Sequence, residues 1–148
     1  MSTTFQLIEK IPFFDAFDEQ EKKVLAANPA AFAQFEDGDV LIQQGDFKDS
    51  SVFVVLSGAA TVRKDEYQEQ IIDYIEAGAV VGEAAFLAEG RCRMASVIAD
   101  GAMTVFRLDR NTIEQFDCSF QLKITRLLVT IIVERLDKMH TAMAELMR

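Results

Sequence analysis

The chain is expected to be mainly β with helices at both ends. Three observations lead there. Between about residues 30 and 109, short runs rich in β-branched and aromatic residues (DVLIQQ, SSVFVVLS, AATVRK, QIIDYIEA, MASVIA, AMTVFRLD) are separated by EDGD, QGD, SG, EAG and ADG. Strands of that length and turn density indicate an all-β sandwich or barrel. The flanks, roughly 1–29 and 110–148, change to helical spacing. With 148 residues and 50% hydrophobic residues, the chain has enough apolar surface for one sizeable core, so residues 1–148 are read as a single domain.

In the N-terminal flank, residues 4 to 29 look helical. Asp18 and Glu21 form a capping box ahead of Val24 and Leu25, and Pro29 stops the helix. Within the β region, EAAFLAEG (83–90) lacks strand character and reads as one helical turn and a loop. Beyond it, Asn111 and Glu114 give a second capping box before a short helix. From about Gln121 the chain is helical to its end. Val129, Ile132, Leu136, Met139, Met143 and Leu146 recur at steps of three and four, the pattern of a coiled-coil seam. Ile124, Leu127, Leu128 and Ile131 make a second stripe. One stripe packing on the barrel and the other on a second copy gives a homodimer; both stripes facing one internal core is the alternative.

Composition narrows the function. The net charge of −9, with no basic stripe, excludes duplex DNA as a partner of this chain alone. No run of about 18 apolar residues is present, so no membrane span is expected. The start, MSTTFQLIEK, lacks the layout of a secretory signal, and Cys92 and Cys118 make neither a metal-spaced pair nor a disulfide framework. A cytoplasmic protein is expected, with no metal, no cofactor and no catalytic residues. A cupin-like enzyme on a comparable barrel would need several histidines, and the chain has one. No nucleophile–base pair stands out.

The stretch VVGEAAFLAEGRCRMASV (80–97) carries the chemistry. Gly82 permits a tight turn, and Ala84 and Ala85 open a helical turn whose first amides are unpaired donors, a ready phosphate site. Arg93 adds a planar fork for two phosphate oxygens. Glu83 is acceptor-only when ionised, which suits a sugar hydroxyl. On the residues alone, Gly-Glu could equally be an ordinary turn, and Arg93 a surface strand residue or the salt-bridge partner of Glu83.

The same stretch resembles the phosphate-binding cassette of the cyclic nucleotide-binding domain family. Gly82, Glu83, Ala84, Ala85 and Phe86 match its first half; Arg93, Met94, Ala95, Ser96 and Val97 match its second. Upstream, QQGDFKDSSVFVVLSGAATV is similar to the family's Gly-Asp and Ser-Gly words at Gly45, Asp46, Ser57 and Gly58, and the likeness extends into both helical flanks. The resemblance implies a jelly-roll-like β-barrel with N-terminal helices and a long C-terminal helix, with residues 1–29, 30–109 and 110–148 as its three parts. It implies cAMP or cGMP as ligand, with Glu83 on the ribose 2′-hydroxyl and Arg93 on the cyclic phosphate. The amides of Ala85 and Met94, with Gly82, Ala84 and Ala95, complete the cradle. His140 and Thr141 on the long helix would meet the base as part of a lid. A regulatory role follows, with an effector protein that the sequence does not name.

Two departures stand out. Cys92 replaces a frequent proline, so the loop is less rigid, and it is read as an inert small residue. Met94 supplies no hydroxyl where some members use one for cGMP, which favours cAMP. The alternative is a degenerate domain that binds no nucleotide and serves as a dimerisation or interaction module.

Overall fold

The architecture was obtained as a computed structural model describing residues 3–68 and 70–148. The chain divides into two units, residues 1–110 and 111–148.

The first unit opens with α1 (Thr3–Glu9), a 3-10 turn (Pro12–Ala16), α2 (Glu19–Ala26) and a second 3-10 turn (Pro29–Ala31). The expected helical stretch is therefore four short pieces. Pro12 and Pro29 each stand at the first position of a 3-10 turn, where a missing N–H costs nothing. α2 ends at Ala26, before Pro29 is reached. The Asp18–Glu21 capping box forms, with reciprocal bonds of 2.8 and 2.9 Å.

Eight strands follow: β1 (Phe32–Phe35), β2 (Val40–Ile42), β3 (Val52–Ser57), β4 (Ala59–Arg63), β5 (Ile71–Glu76), β6 (Val80–Val81), β7 (Ser96–Ala99) and β8 (Met103–Leu108). They make two four-stranded antiparallel sheets, ordered β1-β8-β3-β6 and β2-β7-β4-β5. Chain-distant strands pair within each sheet, the arrangement of a double-sheet jelly roll. α3 (Glu83–Leu87) interrupts the strands after β6, where the sequence indicates one helical turn.

Leu41, Ile42, Phe53, Val55, Ala60, Ile75, Val81, Val97, Ala99, Met103 and Val105 fill the space between the sheets. The other face of the β3/β8 sheet is covered as well. Phe106 meets Phe14 edge-on at 5.4 Å and Phe32 at 5.1 Å, and Phe13 and Phe17 pack beside Phe14. Burial on both faces explains why SSVFVVLS is a continuous apolar run rather than an alternating one.

The second unit holds most of α4 (Arg110–Glu114) and all of α5 (Cys118–Leu146). α4 begins at Arg110, so Asn111 lies inside the helix and does not cap it; Asp109, another residue of capping type, precedes the helix. α5 begins before the expected Gln121, because Asp117 caps it through the Phe120 amide at 2.8 Å. Phe120, Ile124 and Leu128 are buried on it, whereas Val129, Leu136, Met139, Met143 and Leu146 are 46–85% exposed. Phe116 stacks on Phe120 at 4.6 Å.

Candidate functional site

Gly82 sets the geometry. It has φ +85° and ψ 6°, a left-handed conformation that glycine adopts without strain. A Cβ there would lie 2.7 Å from Ser51 O, 2.8 Å from Arg93 Nη1 and 3.2 Å from Ile42 Cδ1. Close approach, as well as φ, therefore requires glycine. The turn passes directly into α3, placing Glu83 at its first position with a buried side chain, 5% exposed.

Arg93 arrives from the other side of the cassette and is 3% exposed. Its Nη1 donates to Gly82 O at 3.0 Å and its Nη2 to Ser51 O at 2.8 Å. Its Nη2 also lies 3.7 Å from the Asp49 carboxylate. Burial lowers the Arg93 pKa from its ordinary value, and the charges of Asp49, Asp46 and Glu83 oppose that shift. The guanidinium remains protonated at any physiological pH. These partners occupy only part of a five-donor fork.

Asp49 was not legible as a site residue. It accepts from Ser51 N at 3.0 Å and Ser51 Oγ at 2.6 Å, and Arg107 Nη2 is 3.3 Å away. Burial pushes its carboxyl up, but the two Ser51 hydrogen bonds, with Arg107 and Arg93, outweigh that and hold it below the ordinary carboxylate value. Arg107 continues the chain to Asp109 at 3.7 Å. The only trace in the sequence is the Asp-Ser-Ser run before β3, a composition suited to a side chain bonding its own backbone two residues on.

The upstream Gly-Asp word fixes the backbone of the arginine. Gly45 N donates to Arg93 O at 2.8 Å, and Arg93 N donates to Asp46 O at 2.9 Å. Gln44 N donates to Ser96 Oγ at 2.9 Å, tying the end of the cassette to the same loop. The Gly-Asp word and Arg93, more than forty residues apart in the chain, are thus one structural unit.

Of the remaining expected residues, Ala85 is buried, Ala84 and Ala95 are half-buried, and Met94 is 48% exposed beside Arg91. Cys92 is half-buried and forms no disulfide. The structure thus brings Gly82, Glu83 and Arg93 together within the first unit. His140 and Thr141 are exposed on α5, in the second unit.

Below α3, Arg110 stacks over the Phe86 ring at 4.8 Å, donates to Phe86 O and pairs with Glu89 at 3.3 Å, pinning the far end of the cassette. A separate concavity of about 510 Å³ is lined by Gln34, Phe35, Glu36, Ser57, Met103 and Thr104. It contains no cation and none of the expected site residues. Among the described residues, no cluster fit for a metal ion occurs, and no helix is long and apolar enough to cross a membrane.

The fold is a double-sheet jelly roll with a helical turn set after β6, and a buried acid and arginine lie around that turn. Residues 32–117, more than half the chain, match the model of the cyclic nucleotide-binding domain, and the chain belongs to that family. A cAMP-dependent protein kinase regulatory subunit of Hypocrea atroviridis is 31% identical over 137 residues, covering 90% of this chain. This chain spans 28% of that relative's length. A cyclic nucleotide-binding domain from Methylobacillus flagellatus shares the fold with a TM-score of 0.77 at 21% identity, covering 96% of this chain and 81% of that one. The regulatory subunit of a cAMP-independent protein kinase A from Trypanosoma brucei superposes with a TM-score of 0.69 at 25% identity, over 90% of this chain and 44% of that one.

Proposed function

We propose that this chain is a non-catalytic regulatory module that binds cAMP in preference to cGMP. The observation that carries the reading is the joint burial of Glu83 and Arg93 around the Gly82 turn, an acceptor and a fork-shaped cation at one end of the barrel. In this reading Glu83 accepts from the ribose 2′-hydroxyl and Arg93 donates to the cyclic phosphate. The amides of Ala85 and Met94, with Gly82, Ala84 and Ala95, surround the phosphate oxygens. Met94 offers no hydroxyl to a guanine, which supports cAMP.

The output runs through α5. A closed arrangement in which His140 or Thr141 meets the base is favoured only to the extent that ligand contacts differ between arrangements. The exposed apolar stripe of α5 supports self-association into a homodimer, and an effector protein reads the change in a cytoplasmic setting.

One observation favours a second reading, a module that binds no nucleotide. Arg93 already serves two backbone carbonyls and Asp49, a structural role that needs no ligand. Thermal melting with and without cAMP and cGMP separates the two. A ligand specific to the folded state at about 100 times its Kd adds about 2.7 kcal/mol of stability. A raised Tm with cAMP, and a smaller rise with cGMP, is expected; no rise with either nucleotide leaves only the interaction module.

A further inference from the structure

One face of the β2-β7-β4-β5 sheet supplies Ile42, Val97, Ala60 and Ile75 to the core. The opposite face should be polar, because antiparallel strands covered on one side alternate apolar with polar residues. Its central row is not. Thr61 pairs with Tyr74 on one side and with Ile98 on the other, and Ile98 pairs with Val40. Cross-strand partners share a face, so Val40, Ile98, Thr61 and Tyr74 form one uncharged row across all four strands. Val40 and Tyr74 are 46% and 69% exposed, and Ile72, two residues from Tyr74 on β5, is 47% exposed. The row is open to solvent, whereas Phe14 and Phe32 pack on Phe106 in the other sheet.

The charges beside this row are ordered. Ala59, Thr61 and Arg63 alternate along β4 and share the outer face. Arg63 therefore lies on one side of the row, roughly 7 Å along the strands. Glu76 pairs with Ala59 and lies an equal step to the other side. Asp100, whose N–H donates to Ala59 O at 2.9 Å, adds a second acid there. Arg63 Nε leans over the row to Thr61 Oγ1 at 3.4 Å. Among the described residues, neither Arg63 nor Glu76 has an ion-pair partner.

An apolar row with a cation on one side and an acid at equal distance on the other is complementary to itself. A two-fold axis running along the row lays each of the four side chains on its own counterpart. The same axis brings Arg63 of each copy within one strand spacing of Glu76 of the other. We propose that the outer face of this sheet is a self-association surface whose occupant is a second copy of the chain. The surface is separate from α5 and does not depend on nucleotide binding. Its footprint is at most about 19 by 17 Å, well short of the roughly 800 Å² per partner of a standard stable complex. The contact is therefore weak, and it joins copies that are already concentrated.

The test is sedimentation velocity of the whole chain carrying Leu136→Lys, which takes α5 pairing out of the measurement. The range runs from about 0.01 to about 1 mM, where so small an interface should begin to form. A rise in mass toward a dimer at the top of the range is expected. Adding Tyr74→Lys, at an exposed position on an edge strand, should abolish the rise without lowering Tm. Arg63→Glu and Glu76→Arg should each weaken association by roughly five- to tenfold, since each reversal affects two pairs per dimer. The double reversal should restore it. Glu76 is exposed, so its variant reads the charge pairing even if Arg63→Glu destabilises the strand around Thr61. A chain that stays monomeric throughout overturns the proposal and leaves the face to a different protein. Association that survives Tyr74→Lys, or single reversals that the double reversal does not rescue, overturns it as well.

Discussion

Gly82 and Arg93 hold each other in place: Arg93 Nη1 donates to Gly82 O at 3.0 Å, and a Cβ on residue 82 would lie 2.8 Å from that same nitrogen. The left-handed turn that opens α3 and the fork proposed to take the phosphate are therefore one device. Neither can be altered without moving the other.

Gly82→Ala is expected to weaken both folding and ligand binding. A left-handed non-glycine residue costs about 1–3 kcal/mol, or roughly 2–12 °C in Tm for a chain of this size, before the contact with Ser51 O is counted. Gly78→Ala is the control, since Gly78 has φ +94° but nothing within 4 Å of an added Cβ. The Gly82 variant should melt below the Gly78 variant and alone lose cAMP binding. Equal melting and equal affinity in the two would mean that the close approach has no consequence.

Arg93→Ala should lower cAMP affinity by at least about tenfold, roughly 1.4 kcal/mol. It should also lower Tm without ligand, because Ser51 O and Gly82 O each lose a donor, at about 1–3 kcal/mol for a buried group. Arg93→Lys keeps the charge but not the fork, and should recover part of the stability and little of the affinity. Calorimetry and melting of both variants read the two effects apart. A fall in Tm with unchanged affinity would assign Arg93 to structure only.

The strands of the barrel were legible because their turns are marked by glycine and aspartate and their bodies by β-branched residues. β1 and β6 were not. AFAQFED mixes small and polar residues two positions after a proline, and β6 is two valines inside GAVVGE. Glu83 and Arg93 could be read because a local word of fixed spacing carries them. Asp49 could not, because its partners Arg93 and Arg107 lie more than forty residues away and only the fold brings them together.

Asp49 makes an acid-side prediction. Its folded pKa is lowered, so it contributes stability that is fully present above the unfolded value of about 3.9 and is lost as pH falls through the lower folded value. In Asp49→Asn that part of the pH dependence should vanish. Chemical unfolding of parent and variant across the acid range measures it, with the two stability curves expected to converge as pH falls below the unfolded value. Parallel curves would show that the carboxylate is not protonated any differently in the folded state.

Glu83→Gln tests the proposed ribose contact. Gln keeps the shape and one acceptor but removes the charge, so the bond weakens from charge-assisted to neutral. A loss of about five- to tenfold for cAMP is expected, and 2′-deoxy-cAMP should lose no affinity in the variant relative to the parent. If the deoxy analogue suffers the same loss as cAMP, Glu83 acts on something other than the 2′-hydroxyl.

The exposed half of α5 is the remaining surface whose chemistry calls for a partner. Val129, Leu136 and Met143 alternate with Ile132, Met139 and Leu146 in a strict seven-residue repeat, and all but Ile132 are at least 46% exposed. Residues 135 and 140, which flank the seam, are arginine and histidine, so no acid faces a base across a parallel pair. Attraction would come from apolar burial alone, and a concentration-dependent homodimer is expected. Leu136→Lys places a charge from each copy in the seam and should give a monomer by light scattering, with melting unchanged at dilutions where the parent is already monomeric. Thr130→Lys, on the opposite, exposed side of the repeat, should leave the parental mass. A parent that stays monomeric at every concentration, or a Leu136→Lys chain of parental dimer mass, would take α5 out of the interface.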